Sequence, residues 1–107
     1  MPWFIKTERF TSSTMNLSKE ERKQYLDKHR SWVIGLKSSG TNISSGYLVD
    51  ERKSPGGGGL LILEAKSFTE AKSLIEKDPV IIAGLVTWTL QEWVPVIGEL
   101  ISKDDLR

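Results

Sequence analysis

"TNISSGYLVDERKSPGGGGLLILEA", residues 41–65, is the stretch whose reading decides the fold. Ile43, Ser45, Tyr47 and Val49 alternate with Ser44, Gly46, Leu48 and Asp50, the period of two expected of a strand with unlike faces. "LLILEA" (60–65) reads as a second strand, apolar on both faces for most of its length. Between them, four consecutive glycines in "KSPGGGG" (53–59) lose too much backbone entropy to hold regular structure, which predicts a hairpin with a mobile tip or lid over Gly56–Gly59. The run is no phosphate loop. The Lys-Ser/Thr pair that would follow is missing, and the chain enters a strand rather than a helix.

On the N-terminal side of the hairpin lies a helix from Lys19 to about Ser38, started by a capping box of Ser18 and Glu21 and stopped by Gly40. Its apolar residues Tyr25, Leu26, Trp32, Val33 and Leu36 gather on one stripe. Before it come a strand, "PWFIKTERF" (2–10), and a loop, "TSSTMN" (11–16). On the C-terminal side, Ser67 and Glu70 open a helix with Phe68, Ala71, Leu74 and Ile75 inward, ending ahead of Asp78-Pro79 because the residue before proline disfavours helical backbone. A short turn, "VIIAG" (80–84), leads into the fourth strand, "LVTWTLQEWVPV" (85–96). Residues 96–107 are expected to be a C-terminal tail, a short helix or a loose arm.

The order is therefore β-α-β-β-α-β within a single domain, 1–107. With short right-handed connections this becomes an α+β, ferredoxin-like fold: a four-stranded antiparallel sheet with two helices on one face. The opposite face, partly apolar, is left for a partner, which predicts a homodimer formed through the sheet.

Composition excludes several classes of function. Fifteen Lys and Arg against fourteen Asp and Glu give no field to draw nucleic acid or an anionic membrane. With no cysteine and one histidine among 107 residues, no metal site is expected. The longest apolar stretch, "VIIAGLVTWTL" (80–90), is too short to span a bilayer, and no signal-peptide pattern opens the chain, so a cytoplasmic location is expected.

The single histidine, His29, lies in the middle of the apolar stripe of the first helix. It is either a core residue with one satisfied nitrogen or a base. A base needs a second group to hold its tautomer, and Asp78 is the best candidate because antiparallel helices on one sheet face bring the end of the second alongside the first. An acid at a helix C-terminus is disfavoured by the macrodipole, although "DP" is also a common turn. Around this pair, Ser45 and Gly46 can offer a hydroxyl or amide to a substrate oxygen, or simply form a polar strand face. Trp32, Tyr47, Trp88 and Phe4 can line an aromatic pocket or belong to the core. Arg22 and Arg30 can reach an anionic group at the pocket mouth or be solvated surface.

"H29-R-S-W32", "G40-T-N-I43-S-S-G46" and "D78-P79-V80-I81-I82-A83-G84-L85" resemble the signature stretches of the YciI-like (YCII-related domain) family. The opening "MPWFIKTERF" and the helix "FTEAKSLIEKDP" are similar too, and the likeness runs over roughly residues 2–95. The resemblance implies a dimeric α/β-barrel assembly and an active site built on a His-Asp dyad, here His29 and Asp78. It implies cofactor-free chemistry on a small organic molecule, of isomerase or lyase type. In one place the chain departs from the family, where an aromatic, commonly Tyr, follows Asp-Pro; here Val80 stands there. Two other functions remain open: a small-molecule-binding or regulatory module using the same pocket without turnover, and a purely structural dimer.

Overall fold

The computed structural model describes residues 1–98. Its elements are β1 (Trp3–Phe10), α1 (Ser12–Met15), α2 (Lys19–Ser38), β2 (Ile43–Val49), β3 (Pro55–Glu64), α3 (Phe68–Ile75), α4 (Pro79–Ile82) and β4 (Val86–Trp93). The strands form one antiparallel sheet in the order β2-β3-β1-β4. This is the expected ferredoxin-like α+β architecture, with two single helical turns added. Of the expected tail, residues 99–107 lie outside those described.

Both added turns arise from capping that propensity alone does not reveal. In place of the loop at 11–16, Thr11 caps α1 by accepting from the Thr14 N–H, and the Thr14 hydroxyl donates to the Leu85 carbonyl at 2.6 Å. In place of the turn at 80–84, Asp78 caps α4, with Pro79 at its first position, where a missing N–H does no harm. The capping box of Ser18 and Glu21 starts α2 as the sequence predicts.

Register decides what the helices cover. Residues directly opposite in adjacent antiparallel strands share a face, so β2, β3, β1 and β4 contribute Ile43, Leu63, Phe4 and Glu92 to one row under the helices. The next row is Ser45, Leu61, Lys6 and Leu90, and the third is Tyr47, Gly59, Glu8 and Trp88. The first row anchors the core: Phe4 and Leu63 are fully buried and pack with Ile43, Ala71 and Ile75. Apart from the exposed Glu92 at the β4 end of the first row, polar residues enter in the second and third rows, and the site lies over them. On the opposite sheet face stand Ile5, Leu60 and Ile62, together with Thr7 and Thr89, whose hydroxyls meet at 2.7 Å.

The glycine run is a strand, contrary to the expected mobile tip. β3 begins at Pro55, and the turn is made by residues 50–54, where the Asp50 carboxylate accepts from the N–H groups of Arg52 and Ser54 at 2.8 and 3.0 Å. Register shifts between Tyr47 and Val49, and Gly57 in the resulting bulge has φ +78, a conformation that favours glycine. A Cβ on Gly58 would stand 2.6 Å from the Glu8 carbonyl oxygen, and one on Gly59 would stand 3.0 Å from that of Gly46. Missing side chains therefore allow close packing of β1 and β2 on β3, and this outweighs the entropy that glycine loses.

Replacing Gly58 with Ala is accordingly expected to destabilise the fold by about 1–3 kcal/mol in urea unfolding, because backbone must move. Gly35→Ala, in α2 with nothing within 4 Å of the new Cβ, is expected to stabilise it by roughly 0.5–1 kcal/mol. Equal effects at the two positions would contradict this account of the glycine strand.

Candidate functional site

β1 supplies two charged residues to the helix-covered side of the sheet, and they build the site from below. Lys6 is fully buried, and its ammonium donates to Glu8 Oε1 at 2.5 Å and to Asp78 Oδ2 at 3.2 Å. Asp78, also fully buried, is placed by the cap of α4, where its Oδ1 accepts from the Val80 N–H at 3.1 Å. This corrects the expectation that Asp78 ends a helix against the macrodipole. α3 stops at Ile75, and Asp78 instead begins the next turn, where a carboxylate is favoured.

From above, α2 lowers His29 onto the same carboxylate. Its Nδ1 lies 2.9 Å from Asp78 Oδ1 and 3.0 Å from Oδ2, and its Nε2 lies 3.0 Å from the hydroxyl of Ser45. An ionised Asp78 can only accept, so Nδ1 carries the proton and Nε2 presents its lone pair to the Ser45 O–H. Trp32, one turn further along α2, sits against the imidazole with ring centroids 5.8 Å apart.

Burial pushes the Asp78 carboxyl up, but the hydrogen bond from His29, the charges of His29 and Lys6 and the Val80 N–H outweigh it and hold it below the usual carboxylate range. Lys6 serves two carboxylates at once. Taking Lys6 away would leave both carboxylates without their shared cation, at a cost of several kcal/mol.

His29 and Ser45 open onto a cleft of about 410 Å³ between α2 and the β2–β3 side of the sheet. Phe10, Leu26, Val33, Ile34, Tyr47 and Val80 supply its apolar wall, while Glu8, Arg30, Gly46, Gly58 and Gly59 complete the lining. A second cleft, about 490 Å³, abuts it across Phe10, Leu26, Arg30 and Val80 and is bordered by Lys19, Arg22 and Lys23.

The structure thus brings together His29, Asp78, Ser45, Gly46 and Tyr47, as expected, and separates others. Trp88 packs against the core from β4, on the far side of β1 from the β2–β3 hairpin, and does not line the cleft. Trp32 touches the imidazole yet also packs on the core rather than facing the cleft, and Phe4 is wholly buried with its ring edge-on to Phe68. Arg30 reaches both clefts and Arg22 only the second.

Lys6 and Glu8 are the residues that sequence reasoning missed. Their signal is positional: counting by two from Phe4 along β1 puts both on its inward side, ahead of Phe10. Among the described residues no group of three or more His, Asp or Glu is arranged to hold a metal, and no helix is long and apolar enough to cross a membrane.

Because its folded pKa lies below the unfolded value of about 3.9, Asp78 contributes stability that is present above that pH and lost as pH falls through the folded pKa. Asp78→Asn is expected to cost about 3–5 kcal/mol near neutral pH. In urea unfolding across pH, the gap between wild type and variant should narrow below about pH 4. A gap of constant size down to pH 2 would show that the carboxylate charge is not what stabilises this junction.

Similarity to known proteins agrees with the architecture. No curated protein matches the sequence. Among solved structures, the 5-chloro-2-hydroxyhydroquinone dehydrochlorinase TftG of Burkholderia phenoliruptrix AC1100, in complex with 2,5-dihydroxybenzoquinone, superposes with a TM-score of 0.65 at 23% identity, covering 86% of this chain and 93% of that one. The Arabidopsis thaliana protein At3g17210 superposes with a TM-score of 0.54 at 12% identity, covering 94% of this chain and 100% of its own. At these identities the likeness is one of fold. The sequence itself matches the YCII-related domain over residues 5–93, and the chain belongs to that family.

Proposed function

We propose that the protein is a cofactor-free acid–base enzyme in which His29, oriented by Asp78, moves a proton on a small hydroxylated organic substrate bound in the cleft. The observation that carries this reading is the pair of contacts from Nδ1 to the Asp78 carboxylate, 2.9 and 3.0 Å, which leaves Nε2 as a base on the cleft side.

In this mechanism a substrate hydroxyl replaces that of Ser45 at Nε2 and gives up its proton. The imidazolium so formed rests on a carboxylate already ionised, so no charge has to be created at Asp78 during the step. The same proton is then returned to a carbon of the substrate, giving an isomerisation, or a leaving group departs, giving an elimination. A base of this kind contributes roughly a hundred- to ten-thousand-fold. A hydroxylated ring suits the cleft, whose wall is mostly apolar with a few polar groups, and the name of the TftG neighbour describes elimination from such a ring.

Turnover of 5-chloro-2-hydroxyhydroquinone, followed by chloride release, and binding of a panel of hydroxylated aromatics test the proposal. Wild type is expected to bind and turn over at least one of them. His29→Asn is expected to lower turnover by about a hundredfold or more. Activity unaffected by this replacement would remove the imidazole from the chemistry. A ligand bound unchanged by wild type and lost on Asp78→Asn would assign the cleft to a binding module.

We also propose that the protein works as a homodimer joined through the sheet face opposite the helices, where Leu60 and Leu48 are 36% and 51% exposed. Light scattering at micromolar concentration should give twice the chain mass for wild type and a monomer for Ile62→Asp. A monomeric wild type would contradict the assembly.

A further inference from the structure

We propose that Ser45, His29 and Asp78 form an acyl-transfer triad, with Ser45 Oγ the nucleophile toward small apolar esters and lactones. This activity goes beyond the proton-transfer reading and shares with it only His29 and Asp78.

Three groups stand in the order such chemistry needs. Asp78 holds Nδ1–H at 2.9 and 3.0 Å, and Nε2 receives the Ser45 hydroxyl at 3.0 Å, so the base that would take the serine proton is already bonded to it. Ser45 is exposed to the cleft while Asp78 is fully buried, the gradient expected between an attacking group and the residue that orients its base. The hydroxyl is carried on a strand, not on a loop, which limits its movement relative to α2.

An oxyanion also needs a donor, and the position of β2 provides one. β2 is an edge strand. The Asn42 carbonyl accepts from the Glu64 N–H at 2.9 Å, and the Gly46 carbonyl lies toward Gly59, so even-numbered residues here direct their backbone groups at β3. In an antiparallel pair the alternate residues point the other way. The N–H of Ser45 therefore faces the free edge of the sheet, beside its own Oγ, where it can donate to the oxygen of a tetrahedral intermediate. Apolar acyl chains are the class that fits, because Leu26, Val33, Ile34 and Val80 form the adjoining wall.

The chemistry closes without any co-reactant but water. Ser45 Oγ bonds to the carbonyl carbon as its proton passes to Nε2, and the alkoxide leaves as the C–O bond breaks, taking that proton. Water, deprotonated by Nε2, then attacks the serine ester and releases the acid, returning the proton to Ser45.

The test is covalent labelling of the full chain with a fluorophosphonate, read by intact mass and peptide mapping. Wild type and Ser44→Ala, whose altered residue lies on the other sheet face, are expected to take up one phosphonyl group on Ser45. Ser45→Ala should take up none, and His29→Asn should react at least about a hundredfold more slowly. A folded wild type that is not labelled, or a Ser45→Ala variant labelled as fast as wild type, would overturn the triad. Unlabelled wild type that still releases chloride from 5-chloro-2-hydroxyhydroquinone would overturn the triad alone and leave the proton-transfer reading standing.

Discussion

The Asp78 carboxylate is the junction on which the arrangement depends. It accepts from His29 of α2, Lys6 of β1 and the Val80 amide of α4, so one buried group fixes the relative positions of three elements. A charge at that depth is tolerable only with such partners, because its loss of water has to be offset at every oxygen. The same contacts that stabilise the carboxylate set the tautomer of His29. The stability of the junction and the orientation of the imidazole are thereby tied to a single side chain.

Much of the fold can be read from periodicity. The alternation along 43–50 and the capping boxes at Ser18 and Ser67 place the two long helices and the β2–β3 hairpin within a few residues of where they stand. The glycine run misleads because propensity is a local quantity. Gly58 and Gly59 are strand residues for a reason on the two neighbouring strands, the close approach of the Glu8 and Gly46 carbonyls, and no count of glycines reveals it. α1 and α4 are hidden in the same way, since each is one turn long and rests on a cap rather than on a periodic apolar face.

The site was partly legible. A lone histidine on an apolar stripe and a carboxylate ahead of a proline, forty-nine positions apart, are signals that survive without coordinates, and their meeting follows from helix packing. Lys6 is harder to read, because a lysine in a strand of mixed polarity is ordinarily solvated: alternation from Phe4 puts it on the inward side, but its complete burial beneath the helices shows only in the structure. The aromatic residues divide by strand position: Tyr47 on the edge hairpin faces the cleft, whereas Trp88 on β4 serves the core. Val80 lines both of the adjoining clefts, together with Phe10, Leu26 and Arg30.

The central claim is that Asp78 fixes the imidazole with its proton on Nδ1. Because the chain has one histidine, ¹⁵N-correlated NMR of the ring needs no assignment variants. The account predicts, for the neutral ring, a single Nδ1–H tautomer with a slowly exchanging proton, and loss of that preference in Asp78→Asn. A ring that averages between tautomers in the wild type, or that carries its proton on Nε2, would contradict it.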